Sequence, residues 1–301
     1  MPTKLGIDLE MGLDIILKAG NVMREHKGSK TFTCGIINAK SGACSENCAF
    51  CAQSKHHNVA IEIYPLMDTD KILERAIVFA KAGVNKFGIV TSGFKMTAKN
   101  MGSICKSIEK IKSETNLSVC ASLGTLTKDM AISLKQCGVS RYHHNLETAR
   151  SFFDQICTTH SYDDDVETIK IAQATGLEVC CGGIMGMGES WAQRIEFASF
   201  LNKLKVDSVP INFLNPIQGT PLGGRNIMSP IEALRCIALF RLINPRKDIV
   251  VCGGRDITLK DFQSWVFIAG ANGLMVGNYL TTKGRNIKTD IEMVKDMGFE
   301  S

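Results

Sequence analysis

Three cysteines fall within eight residues in Ser41-Gly-Ala-Cys44-Ser-Glu-Asn-Cys48-Ala-Phe-Cys51-Ala-Gln-Ser54, spaced C-x3-C-x2-C. They follow an apolar run that reads as a strand. Three thiolates in so short a loop suit three corners of a cubic iron–sulfur cluster and leave its fourth iron without a protein ligand. Such an iron can chelate a small molecule and pass it an electron. Structural zinc is the alternative. It wants four ligands, usually from paired C-x2-C knuckles, so His56 or His57 would have to complete the set. Phe50, just before Cys51, suits an apolar cover over a cluster.

Other residues able to do chemistry fall at or near the ends of further strands. Cys120, Cys180, Cys181 and Cys252 each read, taken singly, as small buried hydrophobes. Four of them on strands point together to a second metal site. Neighbours on a strand face opposite sides, so Cys180 and Cys181 share a face only if the strand ends there. Arg255 is a candidate ligand or catalytic group, because an arginine buried in a barrel needs an anion or a cluster edge for its donors. Asn145 and Glu147 end the fourth strand and Asn212 the sixth. Gly182-Gly-Ile-Met-Gly186-Met-Gly188-Glu189 reads either as a tight strand-to-helix turn or as backbone brought close to a ligand. His143 and His144 flank a strand end, one inward and one outward. Asp163-Asp164-Asp165 reads as charge favoured by a helix dipole. Cys34, Cys105, Cys137, Cys157 and Cys236 read as structural.

Positioning these residues falls to a repeating grammar. Residues 9–25 have a helical rhythm, and Thr31–Asn38 is β-rich. A helix over 68–82, with Asp68 or Thr69 as cap, leads into a strand at Lys86–Thr91. Helices that close on Gly or Asn then feed apolar strands at 116–123, 138–142, 176–180, 207–212, 249–252 and 271–276. Gly suits such helix ends because it takes positive φ at no steric cost. About eight strand–helix units argue for one (β/α)8 barrel domain over residues 1–301, with an N-terminal helical extension over 1–30. An open doubly wound sheet is the rival.

Composition removes other classes. The chain has 301 residues, 45% of them hydrophobic and 22% charged, with a net charge of +5 that is not gathered into blocks, so no nucleic-acid partner is expected. Twelve cysteines are far below the ~8–10% of a disulfide scaffold. Residues 1–30 carry acids and no continuous apolar stretch, so no secretory signal is expected, and no run suits a membrane span. These features predict a cytoplasmic protein whose cysteines are metal ligands, catalytic thiols or core residues.

The loop resembles the cluster loop of radical S-adenosylmethionine enzymes, in the version carried by the biotin synthase family. Further matches are Ser122-Leu-Gly-Thr-Leu126, His144-Asn-Leu-Glu147, the Cys180–Glu189 stretch, Ser208-Val-Pro-Ile-Asn212, Gly219-Thr-Pro-Leu222, Gly254-Arg255 and Ala269-Gly-Ala-Asn272. The resemblance spans about residues 30–285 and implies a (β/α)8 barrel, commonly a homodimer. It implies sulfur insertion into dethiobiotin, served by a flavodoxin- or ferredoxin-type electron donor. It places a [4Fe-4S] cluster on Cys44, Cys48 and Cys51, with S-adenosylmethionine chelated at the open iron. Cys120, Cys180 and Arg255 match ligands of an auxiliary iron–sulfur cluster that donates sulfur. Asn145 and Glu147 match positions near the ribose or dethiobiotin, with Glu where the family usually has Asp, and Asn212 matches a substrate contact. Alternatives are another radical barrel enzyme, such as one for hydrogenase-cofactor maturation or carbon-skeleton rearrangement, or a non-catalytic iron–sulfur or zinc protein.

Three positions depart from the family pattern. Gly88 stands where the family has the first auxiliary-cluster cysteine. Asp165 stands where it has an arginine near the cofactor carboxylate, and the neighbouring Thr-Thr-Arg reads Thr158-Thr-His160. His143 replaces an asparagine. The Gly88 departure predicts that Cys181 or Cys252 supplies the missing ligand and that the second cluster is [2Fe-2S] or a larger variant.

Overall fold

The computed structural model describes residues 12–300. Nine strand segments appear in the order expected: β1 (Phe32–Lys40), β2 (Lys86–Thr91), β3 (Ser118–Ser122), β4 (Arg141–His143), β5 (Glu178–Cys180), β6 (Gly183–Met185), β7 (Ser208–Phe213), β8 (Asp248–Val251) and β9 (Gly273–Met275). Every pairing between them is parallel, and the sheet order is β5-β4-β3-β2-β1-β9-β8-β7-β6 with a further β5–β7 pairing. β5 and β6 are two pieces of one barrel strand, interrupted at Cys181-Gly182. Eight barrel positions therefore close into a ring, and the open-sheet alternative is excluded.

Helices α1 (Leu13–Lys27), α2 (Thr69–Lys81), α3 (Ala98–Glu114), α4 (Lys128–Gln136), α5 (Arg150–Phe153), α6 (Tyr162–Ala174), α7 (Trp191–Lys203), α8 (Pro230–Ile243), α9 (Arg255–Leu259), α10 (Trp265–Ile268) and α11 (Ile287–Asp296) complete the chain. The expected first helix begins at Leu13; residues 9–11 lie outside the described residues. α6 and α7 open on capping boxes from Ser161 and Ser190. Asp68 caps α2 by position without a side-chain bond, and Thr69 Oγ1 instead accepts from Ser107. Among the described residues no helix is long and apolar enough to cross a membrane.

Strand alternation divides the core. Outward residues such as Phe87, Ile89, Val119, Ala121, Val179, Ile211 and Val251 are buried against the helices. Inward residues line the lumen, which is closed below by charge. The Lys86 ammonium lies 3.7 Å over the Phe32 ring, Arg141 pairs with Glu178 at 2.7 Å and with Asp248 at 3.7 Å, and Lys27 reaches Asp248 at 2.9 Å. Among the described residues the lumen is lined as far as the strands' C-terminal ends, where barrel enzymes place their chemistry.

Candidate active site

The loop carrying the three cysteines is clamped over this mouth by Gln53. Its Oε1 accepts from the Gly42 N–H at 3.1 Å, its carbonyl accepts from the Cys44 N–H at 3.0 Å, and Asn38 holds the amide from β1. Gly42 and Ala43 take positive φ so that the chain doubles back. Cys44, Cys48 and Cys51 all face one cavity of about 450 Å³, within the range of small-ligand sites, with Phe50 in its wall. Burial pushes the Cys51 thiol up to about 11, a penalty that a bound cation would reverse.

The donor set fits an iron–sulfur cluster rather than tetrahedral zinc. His56 Nε2 lies 2.8 Å from the Ser45 carbonyl and His57 Nδ1 2.9 Å from the Cys51 carbonyl, and neither ring lines the cavity. Neither is thus offered as the fourth ligand. Cys157, read as structural from sequence, sits 3.8 Å from Cys48 (sulfur to sulfur) and 3.3 Å from His160 Nδ1.

His160 and Asp165 form a charged wall. His160 meets Glu46 at 2.7 Å and Asp165 at 3.3 Å, and Asp165 also binds His144 at 2.8 Å. Against the cost of burial, Asp165, Cys157 and Glu46 hold the His160 imidazolium up to about 11. The Asp163–Asp165 run therefore splits in role. Asp163 pairs with Arg150 and Asp164 closes the capping box, but Asp165 belongs to the site. His143 and His144 both line the cavity, because the chain leaves β4 after His143; burial lowers the His143 pKa.

Asn145 and Glu147 come just after β4. Asn145 Oδ1 accepts from the Gly182 N–H at 3.1 Å, and its Nδ2 donates to Glu147 at 3.3 Å. Glu147 has φ 63°, and its backbone pairs with Gly183, where a Cβ would lie 2.0 Å from the Glu147 carbonyl. Burial pushes the Glu147 carboxyl up to about 7. Asn212 lines the wall with both amide atoms engaged, accepting from the Gly253 N–H at 2.9 Å and donating to the Gly183 carbonyl at 3.2 Å.

Deeper in the lumen lie Cys34, Cys120, Cys180 and Cys252. Burial raises all four thiols, to about 12 for Cys34 and about 11 for Cys120. Cys180 and Cys120 add to the rise at Cys34, while Lys86 and Arg141 beneath oppose it. Sequence reading missed Cys34, although its place one residue after Thr33 and two before Ile36 already gave an inward phase.

Four expectations are corrected. Cys181 is fully buried outside the lumen in the sheet–helix core, because β5 points Cys180 inward and its neighbour outward. Arg255 does not face the lumen. It is fully buried at the start of α9, bound to Asp290 of α11 and to Gln263 at 2.5 Å. Gly186 and Gly188 lie off the cavity, with their N–H groups donating to Glu189 at 2.9 and 3.1 Å. Glu189 is in turn paired with Arg194 at 2.7 Å. That glycine run is the tight turn, and Ile184 before it is the part that reaches the cavity.

The Radical SAM superfamily model matches residues 39–201, and the model of the Biotin and Thiamin Synthesis associated domain matches residues 210–300. The biotin synthase of Nitratidesulfovibrio vulgaris strain Hildenborough is 51% identical over 95% of this chain and 79% of its own length. Those of Syntrophus aciditrophicus and Geobacter metallireducens are each 51% identical over 94% of this chain, and over 87% and 86% of theirs. Among solved structures, a methylornithine synthase superposes with a TM-score of 0.83 at 20% identity over all of this chain and 90% of its own. The FeFe-hydrogenase maturase of Carboxydothermus hydrogenoformans gives 0.82 at 16% identity over 96% and 72%. At those identities the superpositions speak for the barrel alone. The sequence matches speak for more: the chain belongs to the biotin synthase family of the radical S-adenosylmethionine superfamily.

Proposed function

We propose that this chain converts dethiobiotin to biotin by radical sulfur insertion, with both sets of thiols serving one cavity. The observation that carries this reading is that shared cavity, entered at the Cys44–Cys51 loop and floored by lumen cysteines. When bound, the cluster and S-adenosylmethionine supply the radical that removes hydrogen from unactivated carbon, and an auxiliary iron–sulfur cluster supplies the sulfur.

Cys44, Cys48 and Cys51 would hold the [4Fe-4S] cluster. His160, cationic between Glu46 and Asp165, would pair with the carboxylate of S-adenosylmethionine, and Glu147, braced by Asn145, would accept from its ribose. Phe50 and Ile184 exclude water from the mouth, which protects a radical from quenching. Asn212 acts chiefly by fixing the wall, since its amide already bridges two strands. Cys120 and Cys180 hold the auxiliary cluster at the base, above Lys86 and Arg141, whose charges offset those of bound thiolates. A flavodoxin- or ferredoxin-type protein supplies electrons, and the enzyme works in the cytoplasm as a homodimer.

Anaerobic turnover of the reconstituted chain with dethiobiotin tests this, reading biotin and 5′-deoxyadenosine together. Both products are expected. Cleavage of S-adenosylmethionine without biotin would remove the substrate assignment, and no cleavage would remove the radical assignment as well.

A further inference from the structure

The strand register places three of the lumen cysteines in a single layer. Ile36, Gly88 and Cys120 are in register across β1, β2 and β3, and Cys34 lies two residues before Ile36. Ala121, Tyr142 and Val179 are in register across β3, β4 and β5, so Cys180 is level with Ser122, two residues after Cys120. A stagger of two residues per alternate strand is what a closed eight-stranded barrel requires of side chains in one layer, and each layer takes four residues from alternate strands. Cys34, Cys120 and Cys180 therefore face one another across the lumen. Val250 on β8 completes their layer, and Cys252 is the next inward residue after it.

Gly88 lies in the intervening layer contributed by the other strands. A Cβ there would stand 3.2 Å from Ile36 Cγ2, so a ligating side chain on β2 would have to push Ile36 aside by a small shift. The neighbouring strand offers the thiol of Cys34 instead. Arg255 is not in the cavity lining: its terminal nitrogens are bound to Asp290 and Gln263, and it touches the lumen only through its charge, which favours the Cys252 thiolate. Val250 and Met275 are the apolar lumen residues beside Cys252.

We propose that the auxiliary iron–sulfur cluster of this chain has wholly cysteinyl ligation, by Cys34, Cys120, Cys180 and Cys252. This rests on the proposed function only in taking the lumen as the seat of the second cluster. Each thiol gives up its proton as it binds iron, and no electron is transferred in forming the bonds. Two-iron and four-iron clusters both accept four thiolates. An all-thiolate set adds one negative charge relative to a set in which a neutral donor takes one place, and Lys86 and Arg141 lie beneath to balance it.

The test uses the full chain with Cys44, Cys48 and Cys51 changed to alanine, so that bound iron reports the lumen alone. After anaerobic reconstitution with iron and sulfide, iron per chain and Mössbauer spectra are measured. Cys34→Ser and Cys252→Ser in this background are each expected to cut bound iron at least five-fold, as Cys120→Ser and Cys180→Ser do. Cys181→Ser is expected to keep it. The thermal midpoint of each iron-free variant shows that it folds, and an alanine version replaces any serine variant that does not. Iron retained in both Cys34→Ser and Cys252→Ser, with loss in Cys120→Ser, would overturn the ligand set while leaving the proposed function intact. A parent variant that binds no iron would overturn the lumen site itself and with it the proposed sulfur source.

Discussion

Replacing Arg255 by alanine separates a structural arginine from a ligand. The guanidinium is fully buried. It binds the equally buried Asp290, donates to Gln263 at 2.5 Å and reaches the Met275 carbonyl at 3.4 Å. It thus ties α9 to α11 and to the end of β9. Removing it leaves Asp290 with only Arg285, 3.3 Å away and 30% exposed. Stranding one member of a buried ion pair costs about 3–5 kcal/mol. In a chain of this size that lowers the thermal midpoint by on the order of 10 °C. The double variant Arg255→Met/Asp290→Leu should recover most of the loss, because the charge left behind dominates the cost. Calorimetry of the iron-free chain measures both, and iron analysis of reconstituted protein is run beside it. Arg255→Ala should lose stability and keep its full iron. An unchanged midpoint together with loss of auxiliary-cluster iron would refute the placement of Arg255 outside the lumen.

Gly88→Cys should destabilise the chain by about 1–3 kcal/mol through overpacking against Ile36, with Ile36→Ala in the same chain relieving it; urea denaturation reads both. Glu147 titrates near 7 because burial raises it, so its carboxylate form grows as pH rises from 6 to 8. Binding of S-adenosylmethionine to the reconstituted enzyme should tighten over that interval, and Glu147→Gln should flatten the profile; equal profiles would remove Glu147 from the ribose site. His160 is held up to about 11, above its unfolded value near 6.5. Its contribution to stability is therefore full below pH ~6.5 and lost as pH rises through about 11. Accordingly, denaturation midpoints of wild type and His160→Gln should differ more at pH 7 than at pH 10.

The barrel was legible because most helix ends announced themselves with Gly or Asn and the strands with short apolar runs, and all eight barrel positions lie where that punctuation put them; α7, which ends on Leu204 and the positive-φ Lys205, is the exception. The loop cysteines were legible for a related reason: C-x3-C-x2-C is a local spacing, and its meaning survives without knowledge of the fold. What sequence did not resolve was which way each strand residue faces. Cys181 was misassigned by phase, since a one-residue slip exchanges lumen for core, and Cys34 was set aside as structural although it stands in the inward phase of β1. Arg255 failed for a different reason. Its buried partner Asp290 is thirty-five residues away on α11, and no local pattern links the two. Asp165 shows the same blindness, because its place in a helical first turn explained its charge before the two histidines opposite could be seen.

The register also sets the depth between the two groups of thiols. β1 carries Cys34 six residues before its end at Lys40, where the cluster loop begins. At ~3.3 Å per residue and a tilt near 36°, the lumen layer lies about 16 Å below the strand end, measured along the barrel axis. That span is longer than a direct bond between the groups and comparable to the length of two small molecules stacked end to end. Inward residues between the two levels change character with height. Ile36 and Met275 are apolar beside the cysteines, where His143 also stands paired with Cys180, whereas Asn145 and Glu147 crowd the upper wall on one side. A largely hydrocarbon substrate is favoured below and a charged nucleoside above, which orders the occupants of the cavity. An Ile36→Asp change, which places charge in the apolar zone, should then weaken binding of dethiobiotin far more than that of S-adenosylmethionine. Equal losses for both ligands would show that the two zones are not separate sites.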